Sequence, residues 1–325
     1  MSRIFDALQR SEGERSGVDD SASPQAPDLL RRAEERLATT REGLASVQVE
    51  QAEKADDGHR ISMPDGVRSG APHLHAPGVA EARAVDERLA LLSNVQSLRV
   101  LVNPESRLVS LTDRESPTAE SLRLLSVRIR DLRRARPLKK VLITSTIPRE
   151  GKTTIAANLA CSLAHGSDER ILLVEGDVRL PALRQMFGLG SIPGITELIQ
   201  DGRKLTECVY HLDGAGIWVL PSGRTLKNPL EILQSPKLPE FMDQLSACFD
   251  WVIIDSPPVL PLADTSIWMR LADGILLVTR QGITEKQQLE SGLDALEPGK
   301  VLGAILNSAV GSVYSSYYYR RPDES

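Results

Sequence analysis

Between about residues 107 and 307 the chain repeats one texture: a short, unbroken aliphatic run, then a stretch with helical spacing. The runs are RLVSL, KVLITS, ILLVE, IWVL, WVIID, GILLVT and VLGAIL. A strand with one face in water alternates apolar and polar residues, whereas a strand covered on both faces stays apolar throughout. Such strands, joined by helices, make right-handed crossovers and a doubly wound sheet. The fold class expected is therefore α/β with a mostly parallel sheet, and ligands belong outside the carboxyl ends of its strands. The residues able to do chemistry sit at those ends: Thr146 to Thr154 after KVLITS, Asp177 after ILLVE, and Asp255 closing WVIID.

The remainder of the 325 residues is different in kind. From about Ser11 to Ala80, Ser, Gly, Asp, Glu, Arg and Pro dominate, with too few large apolar side chains to offset the entropy of ordering. Residues 1–102 are expected to be a largely disordered, low-complexity segment, 103–310 the folded domain, and 311–325 a separate flexible tail. Within the first segment Leu30, Ala33, Leu37, Leu44 and Val47 recur at helical steps and predict a short exposed helix. Ile4, Phe5 and Leu8 share a helical face that suits either a docking helix or a frayed start. His59, His73 and His75 have no further ligands beside them to suggest a metal site. A net charge of -5 argues against a bulk nucleic-acid binder. Cys161, Cys208 and Cys248 have neither disulfide-like nor metal-like spacing and read as reduced, buried thiols of a cytoplasmic protein. No apolar run approaches the ~18 residues that span a bilayer, and MSRIFDALQR lacks a signal-peptide core. A soluble chain is expected, with any membrane role exercised through a partner.

The segment ITSTIPREGKTTIAANLA reads strand, loop, helix. Gly151, Lys152 and Thr153 close a Walker A loop, in which successive N–H groups and a helix N-terminus cradle phosphate. Lys152 is expected to reach the terminal phosphates and Thr153 to ligate magnesium, while Thr146 stands where such loops usually begin with glycine. Asp255, at the tip of WVIIDSPP, is placed to hold magnesium through its water shell as a Walker B acid does. In ILLVEGDVRLP, Glu175, Asp177 and Arg179 alternate, and extended backbone puts alternate side chains on one side. All three are expected to converge on the nucleotide, the carboxylates orienting magnesium or taking a proton and Arg179 offsetting negative charge. The fold expected is thus a P-loop NTPase sheet that binds ATP and Mg2+.

These elements together resemble the bacterial tyrosine kinases of capsule and exopolysaccharide assembly, a P-loop family, in a form without a transmembrane anchor. The resemblance runs from about Asn103 to the C-terminus and rests on SPTAESLRLL, GKTT, VEGDVRLP, LPSGRTLKNPLEIL, FDWVIIDSPP, ADGILLVTR, VLGAILN and a tyrosine-rich tail. It implies a protein-tyrosine autokinase in which Ser145, Glu150, Gly151, Lys152, Thr153, Thr154 and Asn307 bind nucleotide. Thr153, Asp177 and Asp255 would hold the metal. Lys152, Glu175, Asp177, Arg179 and Asp255 would carry catalysis, with Asp177 accepting the tyrosine proton. Glu120 and Arg123, in a Glu-x-x-Arg-x-x-Ser stretch, imply homo-oligomerisation. Three positions depart from the family pattern: Glu175 for Asp, Arg149 for Gly, and Ser126 for the second arginine of that stretch. Also implied are control of polysaccharide polymerisation and export, a membrane chain-length determinant or co-polymerase as partner, a tyrosine phosphatase, and a peripheral place at the inner face of the membrane.

Four of the five tyrosines, Tyr314, Tyr317, Tyr318 and Tyr319, lie in the last dozen positions and are the expected phosphoacceptors. Asn307 suits either the adenine edge or a solvent-facing turn. Two other classes share this sheet. A partition-type switch ATPase usually carries an extra lysine where Ile147 stands, and a catalytically weak scaffold of the same machinery would explain Glu175 and Ser126 as drift.

Overall fold

The computed structural model describes residues 92–308 apart from 93, 101, 103–105, 261 and 262. The expected N-terminal helices, His59, His73, His75 and the tail tyrosines lie outside the described residues.

The strands are β1 (Gln96–Arg99), β2 (Lys140–Ser145), β3 (Ile171–Glu175), β4 (Tyr210–Asp213), β5 (Ile217–Leu220), β6 (Trp251–Asp255), β7 (Gly274–Arg280) and β8 (Val301–Asn307). They form one sheet in the order β1-β4-β5-β3-β6-β2-β7-β8. Every neighbouring pair is parallel except β4 with β5. The helices are α1 (Val109–Thr112), α2 (Pro117–Ala135), α3 (Lys152–Ala164), α4 (Leu183–Met186), α5 (Ile195–Gln200), α6 (Leu230–Leu233), α7 (Lys237–Cys248), α8 (Asp264–Leu271) and α9 (Lys286–Asp294).

Strand alternation sorts the aliphatic runs into two cores. Val141, Ile143, Leu173 and Ile253 face α2 and α3 with Ile129, Leu159 and Leu163, while Leu142, Val174, Ile254 and Leu277 face Met242, Leu245 and Trp268. This is the doubly wound arrangement expected from strands that are apolar on both sides. α2 starts where Ser116 accepts a hydrogen bond from the Ala119 N–H at 3.3 Å, with Pro117 in its first turn. Its inner face, Ala119, Leu122, Ser126 and Ile129, is spaced at three and four residues and is buried.

The run RLVSL, expected as a strand, is instead the single turn α1. Leu108 is fully buried, and Ser110 is bound to α3: its N–H donates to Asn158 Oδ1 at 2.9 Å and its Oγ to Asn158 O at 3.1 Å. Those bonds satisfy groups that a strand would need a sheet neighbour to satisfy. The edge strand is β1, N-terminal to the expected boundary at 103, pairing Gln96 with Tyr210 through Arg99 with Asp213. β1 and β4 read QSLR and YHLD, too short and polar to register as aliphatic runs. All three cysteines are free and buried, and burial pushes the Cys161 and Cys208 thiols up to about 12, so they are inert. Among the described residues no helix is long and apolar enough to cross a membrane.

Candidate active site at the carboxyl edge of the sheet

β2, β3 and β6 end side by side, with Ile143 and Glu175 each in register with Asp255. From the tip of β2 the chain turns through Thr146–Gly151 into α3. Gly151 has φ +92°, and a Cβ there would collide with the Asn307 amide, so glycine is required. Arg149 also occupies the left-handed region, at φ +70°, where the family pattern has glycine. The loop holds this conformation through side chains. Ser145 Oγ donates to Ile147 O at 2.8 Å, and the Ile147 N–H donates to Glu150 Oε2 at 2.8 Å. Thr284 Oγ1 donates to the other oxygen of Glu150, and Asn307 Nδ2 donates to Glu150 O at 2.8 Å. Glu150 is therefore a buried strut within the loop, and Asn307 braces the loop with the amide that an adenine edge would need. Thr146 sits against Gly292 of α9, where a Cβ would come within 2.6 Å of Thr146 Oγ1. The glycine absent from the start of the loop is thus matched by one on the helix that faces it.

Lys152 opens α3 and brings its Nζ 3.0 Å from Asp177 Oδ2, in an ion pair whose carboxylate is buried and whose ammonium is partly so. Asp177 Oδ1 accepts the Leu180 N–H at 3.1 Å. Asp255 is fully buried, and its carboxyl is pushed up to about 7, chiefly by loss of water, with Asp177 and Glu175 adding repulsion and Lys152 and Thr153 opposing it. Asp255 Oδ1 is buried without a hydrogen-bond donor, and Asp177 Oδ2 has only the Lys152 ammonium beside it. Hard carboxylate oxygens of this kind beside a threonine hydroxyl fit a small divalent cation. Among the described residues no group of three or more acidic, His or Cys side chains forms a complete cage. That suits an ion held partly by one or two carboxylates and partly by phosphate oxygens.

The tip of β3 corrects one expectation, because Glu175, Asp177 and Arg179 do not converge. Glu175 Oε1 accepts the N–H groups of Ala182 and Leu183 at 2.7 and 2.6 Å, and Oε2 accepts that of Ser222 at 2.9 Å. Both its oxygens anchor the approach to α4 and the loop after β5. Arg179 is a two-pronged partner of Asp264, Nε to Oδ2 at 2.6 Å and one terminal nitrogen to Oδ1 at 3.0 Å. The alternation expected of extended backbone ends with β3 at Glu175, and beyond it the chain turns. Gly176 lies so close to β6 that a Cβ would be 2.8 Å from Asp255 O. Pro181 precedes α4 by two residues instead of opening it.

Thr153 and Thr154 lie in the first turn of α3. Asp264, Thr284, Arg280 and Gly292 were not singled out from the sequence. Arg280 ends β7 and the others lie in a helix or loop; only the fold brings Arg280, Thr284 and Gly292 to the P-loop and Asp264 to Arg179.

On α2, Glu120 and Arg123 form an ion pair at the surface, and Arg123 also donates to Arg114 O at 2.6 Å. Leu124 and Val127 on the same helix are 55% and 53% exposed. Ser126 is turned inward, 2% exposed, donating to Leu122 O at 2.9 Å with Ser162 Oγ also within 2.9 Å as a hydrogen-bond partner. An arginine there would enter the α2–α3 contact, so serine fits the packing.

Residues 149–294 match the model of a family described as an AAA domain. The tyrosine-protein kinase YwqD of Bacillus subtilis is 35% identical over 217 residues, 66% of this chain and 91% of that protein. The tyrosine-protein kinase ptk of Acinetobacter johnsonii is 32% identical over 220 residues, 66% of this chain and 30% of that protein. Among solved structures, the kinase domain of the Escherichia coli tyrosine kinase ETK superposes with TM-score 0.58 at 25% identity, covering 64% of this chain and 83% of that one. The chimerical protein CapA2B2 superposes with TM-score 0.59 at 26% identity, covering 68% of this chain and 97% of that one. A Walker loop paired through Lys152 with an acid at the tip of the adjacent half of the sheet, and relatives alike over nearly the whole of YwqD, lead to one assignment: the chain belongs to the P-loop family of bacterial tyrosine-protein kinases.

Proposed function

We propose that the chain transfers the γ-phosphoryl group of ATP to the tyrosines of its own C-terminal cluster, Tyr314, Tyr317, Tyr318 and Tyr319, presented by an adjacent copy. The observation that carries this reading is the ion pair of Lys152 and the buried Asp177, 3.0 Å apart, beside Asp255. The P-loop N–H groups and Lys152 bind the phosphates, and the P-loop struts hold those donors in place before substrate arrives. Asp177 takes the proton of the tyrosine hydroxyl as its oxygen bonds to the γ-phosphorus. The bond from that phosphorus to the β–γ bridging oxygen breaks, and ADP leaves with the electron pair. Thr153, Asp177 and Asp255 would hold Mg2+, which when bound would supply charge neutralisation on the phosphates.

Each phosphate adds roughly -1.5 to -2 charge to the tail, and the accumulated repulsion loosens a homo-oligomer in which Glu120 and Arg123 take part. A tyrosine phosphatase resets it. In this reading the chain acts at the inner face of the membrane through a chain-length determinant or polysaccharide co-polymerase, and the cycle governs polymer assembly and export. Incubation of the purified chain with ATP and magnesium tests the first step. Phosphotyrosine on the tail, absent in Lys152→Met and when the four tail tyrosines become Phe, is the expected result. Release of free phosphate with no label on protein would replace this reading with a switch ATPase, and neither product would replace it with a scaffold.

A further inference from the structure

Leu180 is the most exposed large apolar side chain among the described residues, at 72%. It stands on a pinned segment. Its own N–H is bound to Asp177 Oδ1 at 3.1 Å, and the N–H groups of Ala182 and Leu183 are bound to Glu175 Oε1 at 2.7 and 2.6 Å. Arg179, just before it, is held by both oxygens of Asp264, which is 1% exposed. The backbone that carries the leucine is therefore fixed, and its side chain stands in water next to the residue whose carboxylate faces Lys152. Core packing does not account for it, since most of the side chain touches nothing. An apolar side chain on an anchored backbone next to a proton acceptor complements a group with an apolar body and a polar tip, as a phenol has.

We infer that Leu180 is a specificity-determining residue that receives the ring of the acceptor tyrosine while the hydroxyl faces Asp177. This rests on the kinase reading of the site, and it explains selection of tyrosine over serine or threonine: those side chains are too short to cover the leucine and have no ring to place on it. The occupant is the tyrosine tail of a second copy. Between Ser308 and Ser325 tyrosine is the only aromatic residue type, and it occurs four times. The tail of the same copy leaves from the tip of β8, four strands from β3 in the sheet order. That is about 19 Å at the usual strand spacing, and the direct path runs across the mouth of the P-loop, where nucleotide binds. A tail from a second copy does not have to cross it.

The test is binding, which does not require turnover. A fluorescent peptide of residues 311–321 is titrated into the full chain, with its four tail tyrosines replaced by Ser, in saturating Mg-ADP. Burial of much of one leucine side chain predicts that Leu180→Ser weakens peptide binding about fivefold or more, with the affinity for ADP unchanged. Leu180→Met restores most of the affinity, and a peptide with all four tyrosines replaced by Ser binds both proteins equally weakly. Equal peptide affinity for the parent and Leu180→Ser overturns the inference, as does an equal loss with the tyrosine-free peptide or no peptide binding at all. Peptide binding that depends on Leu180 without phosphotransfer would leave this contact standing and sink the kinase reading instead.

Discussion

Replacing Asp255 by Asn should make the nucleotide-free chain more stable, by an amount that depends on pH. Burial raises this carboxyl from its ordinary 3.8 to about 7. The folded state therefore holds a proton that the unfolded state has released, and stability falls as pH rises from about 4 to about 7. Above that window the loss is complete. At roughly 1.36 kcal/mol per tenfold change in proton affinity it amounts to about 4 kcal/mol. Asparagine has nearly the same shape and does not ionise, so the gain should approach about 4 kcal/mol at pH 8 and shrink towards nothing near pH 4. For a domain of this size that corresponds to roughly 8–16 °C in melting temperature at pH 8. The assay is denaturant unfolding of both proteins, with EDTA and without nucleotide, at intervals from pH 4 to pH 8. The same variant should lose the additional stabilisation that magnesium and ATP confer on the parent chain, because a metal ligand is gone. A variant less stable than its parent at pH 8, or a gain of equal size at both ends of the range, would refute the reasoning, since burial of the charge would then not be the dominant cost at this position.

Gly292→Ala should destabilise the chain by about 1–3 kcal/mol and weaken ATP binding, because its Cβ would come within 2.6 Å of Thr146 Oγ1. Adding Thr146→Gly should recover both losses, which a double-mutant cycle on melting and nucleotide titration would measure. Glu175→Ala leaves three backbone N–H groups without their acceptor, and should cost at least about 3 kcal/mol in unfolding experiments. Glu175→Gln keeps an acceptor oxygen and should cost less; an Ala variant of parental stability would return Glu175 to the list of catalytic candidates.

The aliphatic runs determined the architecture without help from the fold. A strand such as ILLVE or WVIID is apolar at every position because both its faces are covered, and that is a local property of sequence that composition alone carries. GKTT after KVLITS likewise located the phosphate loop, since the chemistry requires those residue types consecutively. Tertiary structure decided the rest. Glu175 and Asp177 look alike in the chain, yet the turn beyond Glu175 commits one to backbone N–H groups and the other to Lys152. RLVSL is as aliphatic as a strand, but Asn158 on a helix about 50 positions away satisfies its backbone and keeps it a single helical turn. The pairing of Thr146 with Gly292 and of Glu150 with Thr284 joins residues separated by more than a hundred positions. Hydrophobic periodicity reports what a residue avoids, which is water. Which partner a buried polar group finds depends on how helices and strand tips are brought together in space, and that information is not local to any segment.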